Sequence, residues 1–339
     1  MESFLPYLWF GFFALTALLF VLLGGADLGI GILSLGARAR RRSEMLNAMG
    51  PLWYANETWL VIAGAILFAA FPIVYAIILS SLYIPAMALI FGLILRAVSV
   101  ELRAHSQDRG FWETAIGAGS LVAALAQGLL LGGLLARPQV ADGVFAGGPW
   151  DWLGATSIAS ALAAVAGYAM LGAIRLVGAV PDASGRHERR PMRASALCAA
   201  ILFAAAAGVT AASANRASGS MLTEPPRLLL AGLFVLAGLV GFIMLMSASR
   251  RSGAAPAAGG MLMFLGAAGL ILAATLPYAV PYSITIRDAA SPAGTLIVML
   301  YGVGFFLPVI IAYNLFARIV FRGKGYGTEG KSDHETTAA

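Results

Sequence analysis

Two carboxylates stand where a chain could use them to handle protons. Asp27 lies in Gly24-Gly25-Ala26-Asp27-Leu28-Gly29-Ile30-Gly31, inside an apolar run. Glu57 lies in Gly50-Pro51-Leu52-Trp53-Tyr54-Ala55-Asn56-Glu57-Thr58-Trp59-Leu60, at the start of the next. A charged side chain in a hydrocarbon segment carries a penalty of roughly 2.5–3.5 kcal/mol on insertion scales. Two of them in the first two apolar runs point to proton entry or to a polar contact with a partner. The plainer alternative is an acid capped by serine or backbone N–H that never titrates. On a helix Trp53, Asn56 and Glu57 fall at i, i+3 and i+4 and share a face, whereas Trp59 points about 200° away from Glu57. Trp53 also suits an ordinary place at the membrane interface. Gly25, Gly29 and Gly31 have the small-residue spacing that lets helices approach closely.

The elements that must hold these residues are membrane spans. Of 339 residues 60% are hydrophobic and only 11% charged, against about 25% charged in a soluble domain, and the mean hydropathy is +0.86. Apolar runs of bilayer-crossing length, roughly 20 residues, cover 8–35, 56–78, 82–100, 112–136, 152–177, 192–214, 228–246, 261–280 and 294–319. In lipid the backbone must satisfy its own hydrogen bonds, so these runs are helices. The expectation is an all-α integral membrane protein of about nine transmembrane helices, one polytopic domain over 1–326, with a disordered polar tail over 327–339. No cleavable signal peptide is expected, because the N-terminus lacks a basic stretch and the first run is too long. The single cysteine, Cys198, reads as a small packing residue in a helix.

Charge orients the spans. With the N-terminus outside, only Arg137, Arg216, Arg227 and Arg287 of the 22 basic residues fall on the outer side, and the other 18 lie inside, alternating at every loop. The net charge of +6 is therefore topological, and basic runs at the membrane edge exclude a nucleic-acid partner. Both acids then sit toward the cytoplasmic side. Asp27 is roughly 16 Å before Arg38, and Glu57 roughly 9 Å past Pro51, a helix-start residue. Arg96 and Arg103, closing the third run, are expected to snorkel to the headgroups, and Glu101 and His105 stand at i, i+4.

The histidines, His105, His187 and His334, all fall outside the spans, so no histidine holds haem or metal within the membrane. Neither a phosphate-binding loop nor a dinucleotide fingerprint occurs. Two readings remain. One is an ion-coupled secondary transporter with Asp27 and Glu57 as its coupling site, and the other is the cofactor-poor part of a larger redox complex.

The motifs favour the second. Gly25-Ala26-Asp27-Leu28-Gly29-Ile30-Gly31 resembles the G-x-D-[LM]-G-[VI]-G motif in subunit II of cytochrome bd-type quinol oxidases, and Gly50–Leu60 resembles that family's helix-two motif. Phe68-Ala69-Ala70-Phe71-Pro72, Leu95-Arg96 with Glu101-Leu102-Arg103, Ser283 through Asp288 to Ser291, and Phe321-Arg322-Gly323-Lys324 follow in the family's order. Length and wording are most similar to the cyanide-insensitive branch. The resemblance implies two four-helix bundles, roughly 1–136 and 150–321, plus a peripheral helix. It implies no haem and no catalytic residue in this chain. Haems b and d and the quinol-oxidising loop belong to the partner subunit I, with a small single-helix subunit attached in some members. It also implies oxidation of ubiquinol or another quinol by oxygen, protons drawn from the cytoplasm, a bacterial inner-membrane location and, in some relatives, a structural quinone in subunit II.

One departure bears on the proton path. Family members commonly carry an acid directly after the tryptophan matching Trp53, where this chain has Tyr54. Either Glu57, three residues on and about 60° around the helix, takes over with Asp27 and Asn56, or the path uses subunit I alone. The family also places an oxygen route near the tryptophan matching Trp59.

Overall fold

The computed structural model describes residues 3–50, 53–179, 189–218, 225–247 and 254–320. The helix-start residue Pro51, His187, His334, the Phe321–Lys324 motif and the tail over 327–339 lie outside the described residues.

The first span runs as α1 (Leu5–Leu19), a π-helical turn (Phe20–Gly24) and α2 (Gly25–Leu35). A short helix α3 (Ala39–Asn47) follows, carrying Arg40 outward and Met45 and Leu46 inward. On its exposed side a hydrogen bond from Arg41 holds the Glu44 carboxyl below its ordinary range. Then come α4 (Trp53–Ala70), α5 (Pro72–Ser81), α6 (Tyr83–His105) and α7 (Arg109–Leu135). The second half is α8 (Ala155–Ala179), α9 (Arg189–Ser218), α10 (Pro225–Ser247), α11 (Ala254–Thr275), the one-turn α12 (Ile286–Ala289) and α13 (Ala293–Val320). Among the described residues, eight helical segments are long and apolar enough to cross a bilayer, and the α4–α5 pair makes a ninth candidate.

That pair corrects the continuous run expected over 56–78. The chain turns by 116° between α4 and α5. Phe71 leaves the helical region (φ −135°, ψ 60°) because Pro72 follows it. The proline ring disfavours a helical residue before it and removes the N–H that would continue the ladder. The 18 residues of α4 still extend about 27 Å. Its last carbonyls find partners far away in sequence: Ser291 donates from its Oγ to Ala69 O (2.7 Å) and from its N–H to Ala70 O (2.8 Å). Changing Ser291 to alanine removes the first of these, and a loss of about 1 kcal/mol in thermal stability is expected. A melting curve unchanged from wild type would refute the capping role.

Packing follows chain order with one crossing. α6 and α7 form a hairpin, α7 leads to α8, and α8, α9, α10 and α11 pack in sequence, with α11 returning to α8. The first span inserts between the two sets, α1 on α4 and α2 on both α7 and α8. α13 leans on α1 and α4, and the indole of Trp9 donates to Leu296 O at 3.1 Å. At the end of the molecule away from α3, two small antiparallel hairpins close the loops: β1 (Val140–Ala141) with β2 (Val144–Phe145), and β3 (Tyr278–Val280) with β4 (Ile284–Thr285). The first turns through Asp142 and Gly143, both at positive φ, as a two-residue hairpin requires. Cys198, expected to pack, is exposed on α9 and so faces the surroundings of the chain.

Candidate functional site

The π-helical turn that ends at Gly24, one turn before Asp27, widens the first span by a residue and loosens its hydrogen-bond ladder. Leu23 O is reached there by the Asn56 amide at 3.4 Å. Beyond the turn Asp27 points into the protein and is fully buried. Asn56 Nδ2 donates to Asp27 Oδ2 at 2.8 Å. On the other side Arg175 Nη1, from α8, faces Asp27 Oδ1 at 3.1 Å without the alignment of a hydrogen bond. Arg175 Nη2 donates to Met49 O at 2.8 Å. A carboxylate from the first span, an amide from α4 and a guanidinium from α8 thus share one point.

Glu57 forms a second pair. Its Oε1 accepts from Arg96 Nη1 at 2.7 Å, and the Arg96 guanidinium carbon lies 5.3 Å from the Trp53 ring centroid. Arg96 is 1% exposed, which overturns the expected snorkelling. A carboxylate within reach on the neighbouring helix outweighs the headgroups, since a buried guanidinium needs a paired anion. Arg96 Nε and Nη2 and the Trp53 indole N–H have no hydrogen-bond partner among the described residues, which leave this corner with more donors than acceptors.

Arg103 also turns inward. Its guanidinium reaches Glu113 Oε1 at 2.9 and 3.0 Å and Asn47 at 3.0 Å, and the Ser43 hydroxyl donates to the same Glu113 oxygen. Arg42 donates to Ser34 O at 3.1 Å and to Thr114 at 2.8 Å. These bonds fasten α3 across the end of the α6–α7 hairpin. Glu113, 3% exposed, escaped the sequence reading. A signal existed: positions 103 and 113 are nearly equidistant from the short connection between α6 and α7, so they meet when the hairpin closes. Arg175 escaped too, counted only as one topological charge, and no local pattern links it to Asp27.

The other expected residues fall as follows. Tyr54 is half exposed on the outer side of α4, edge-on to Trp53, turned away from Asp27. Glu101 is exposed, and His105 Nδ1 meets the Glu101 backbone carbonyl at 3.2 Å, not its carboxylate. Trp59 is buried and lines an apolar cleft with Phe12, Leu19, Ile62, Ile66 and Val303. Asp288 accepts from Thr285 at 2.6 Å, which forms the one-turn α12 that delivers Ser291 to α4. The motif glycines are contact points. A Cβ on Gly25 would lie 2.5 Å from the Tyr168 ring, one on Gly29 1.7 Å from Tyr168 O, and one on Gly31 2.2 Å from Ser120 Oγ. Among the described residues no three His, Cys, Asp or Glu side chains come together as a metal site would require.

Many apolar helices around buried, arginine-neutralised acids at one end define a multi-pass all-α membrane protein with an internal polar site. Residues 5–321 match the family model for cytochrome bd terminal oxidase subunit II, and the chain belongs to that family. Among curated relatives it is 33% identical over 136 residues to cytochrome bd-I ubiquinol oxidase subunit 2 of Escherichia coli K12, which is 39% of this chain and 36% of that protein. It is 36% identical over 128 residues to cytochrome bd ubiquinol oxidase subunit 2 of Bacillus subtilis, 36% of this chain and 38% of that one. These matches span little more than a third of the relatives' length. The fold is similar to a chain of the bd oxidase from Geobacillus thermodenitrificans, with a TM-score of 0.75 over 94% of this chain and 99% of that one at 18% identity.

Proposed function

We propose that this chain is the non-haem subunit II of a bd-type quinol:oxygen oxidoreductase in a bacterial cytoplasmic membrane. The observation that carries the reading is the family match over 5–321 on a chain with two membrane-embedded acids, Asp27 buried and Glu57 half-buried, at the end bearing most of the basic residues. On the orientation set by charge, that end is cytoplasmic and the N-terminus periplasmic. The chain stabilises a haem-bearing subunit I, which carries haems b and d and oxidises quinol, ubiquinol among the candidates. Its own three histidines lie outside the spans. A small single-helix subunit and a structural quinone belong to the same proposal.

Within it, Asp27, Asn56 and Glu57 supply protons from the cytoplasmic side. Asn56 joins the first span to α4, and Asp27 lies within electrostatic reach of Glu57. Glu57 stands in for the family acid absent at Tyr54. It is the membrane-embedded acid of α4 and retains 24% side-chain exposure, enough to exchange a proton with water or a neighbouring subunit. The cleft beside Trp59, lined by apolar side chains, suits a small apolar gas and is the proposed approach for oxygen.

Affinity purification of the chain from native membranes tests the assignment. A larger haem-bearing subunit and quinol-dependent oxygen uptake are expected in the eluate. Solute flux by the chain reconstituted alone would replace this reading with ion-coupled transport. In the complex, Glu57→Gln is expected to slow turnover and potential generation together by about a hundredfold or more, the lower end of the range for losing a proton-transfer group. Unchanged rates would remove Glu57 from the path while leaving the subunit assignment intact.

A further inference from the structure

We infer that Arg175 is the positioning residue that closes Asp27 to the cytoplasmic solvent, an inference that rests on the proton-supply reading above. Asp27 is fully buried and Asn56 is 5% exposed, so neither can meet bulk water directly. The Arg175 side chain is 37% exposed and stands 3.1 Å from Asp27 Oδ1. An aqueous approach from this side meets the guanidinium before the carboxylate.

The way Arg175 is held suits a movable closure. Its Nη2 is anchored by a 2.8 Å hydrogen bond to Met49 O, in the turn leading to Gly50, whose φ is +71°. Its Nη1 faces Asp27 by charge alone, without hydrogen-bond alignment. One contact is directional and independent of the carboxylate's state, and the other depends on the carboxylate being an anion. When a proton arrives on Asp27 Oδ1 the charge that draws Nη1 inward disappears, while the Met49 bond keeps the guanidinium nearby. When the proton leaves, the attraction returns and the passage closes. Glu57, which also acts electrostatically on Asp27, is itself paired with Arg96, and these two belong to α4 and α6. Arg175 comes from α8, so the closure also links the two sets of helices.

The test uses the purified complex, with a water-soluble carbodiimide and an amine nucleophile, and reads modification by peptide mass spectrometry. Wild-type Asp27 is expected to be protected. In Arg175→Ala its modification should rise about tenfold, as fits removal of one facing charge at the solvent edge. Arg175→Lys, which restores the charge, should return it toward protection. Glu113, buried at the same end, serves as the check for general loosening and should stay protected throughout. Asp27 as protected in Arg175→Ala as in wild type overturns the inference. If Glu113 also becomes modified, Arg175→Gln decides, since it can keep a bond to Met49 O without the charge: selective modification of Asp27 supports the closure, and protection overturns it. The underlying reading is tested separately. Asp27→Asn with unchanged oxygen uptake and proton uptake removes Asp27 from the proton path, whatever the labelling of the Arg175 variants shows.

Discussion

Replacing Arg96 with methionine is expected to destabilise the protein by about 3–5 kcal/mol, the range for removing one partner from a buried ion pair. Arg96 is 1% exposed and its Nη1 donates to Glu57 at 2.7 Å. Without it a carboxylate remains inside a span with no cation beside it. The double variant Arg96→Met, Glu57→Met should recover most of the loss, because replacing both members of a buried pair by apolar groups is often neutral. Arg96 Nε and Nη2, without a hydrogen-bond partner among the described residues, carry a desolvation cost that the double variant removes. Thermal melts of the single and double variants in one detergent check this. A single variant that melts with wild type would show that the Glu57 charge is met by something other than Arg96. A double variant no better than the single would show that Arg96 acts through its packing on Trp53 rather than through the ion pair.

Gly29→Leu should have a comparable effect for a different reason. A Cβ at residue 29 would stand 1.7 Å from Tyr168 O and 2.8 Å from Gly172 N, and one at Gly172 would stand 2.4 Å from the Gly29 carbonyl carbon. The obstacle is backbone on a facing helix, which no rotamer can move aside, so α2 and α8 must separate. Overpacking typically costs about 1–3 kcal/mol, and a backbone clash places this variant at or above the upper end. The separation would also draw Arg175 on α8 away from Asp27 on α2, so carbodiimide labelling of Asp27 should rise with the loss of thermal stability. Gly11→Ala is the control, because a Cβ there meets nothing within 4 Å, and it should melt with wild type. A normal melting temperature for Gly29→Leu would mean that the two helices are not in backbone contact.

Hydropathy and charge made the spans legible, because a segment that must satisfy its own backbone in lipid has one regular solution and arginines mark its ends. Pro72 was visible in the sequence, yet hydropathy alone ran 56–78 together. An apolar average does not register a missing N–H, and the 116° turn is stabilised by Ser291, more than 200 residues away. Asp27, Glu57, Asn56 and Trp53 stood out because polar groups in apolar runs are costly wherever they point. The motif glycines were legible as contact points, but their counterparts Tyr168, Gly172 and Ser120 were not.

The sequence by itself determined an all-α membrane protein, the residues that had to be explained and, through its ordered motifs, the family. Only the tertiary structure decided where the arginines went. Near the end of an apolar helix an arginine can extend to the headgroups or turn inward, and the two differ by whether an anion waits on the neighbouring helix. Glu57 on α4 turned Arg96 in, Glu113 on α7 turned Arg103 in, and Asp27 on the first span met Arg175 from α8. Each pairing joins different helices, and periodicity along one helix carries no information about which face of another will lie against it.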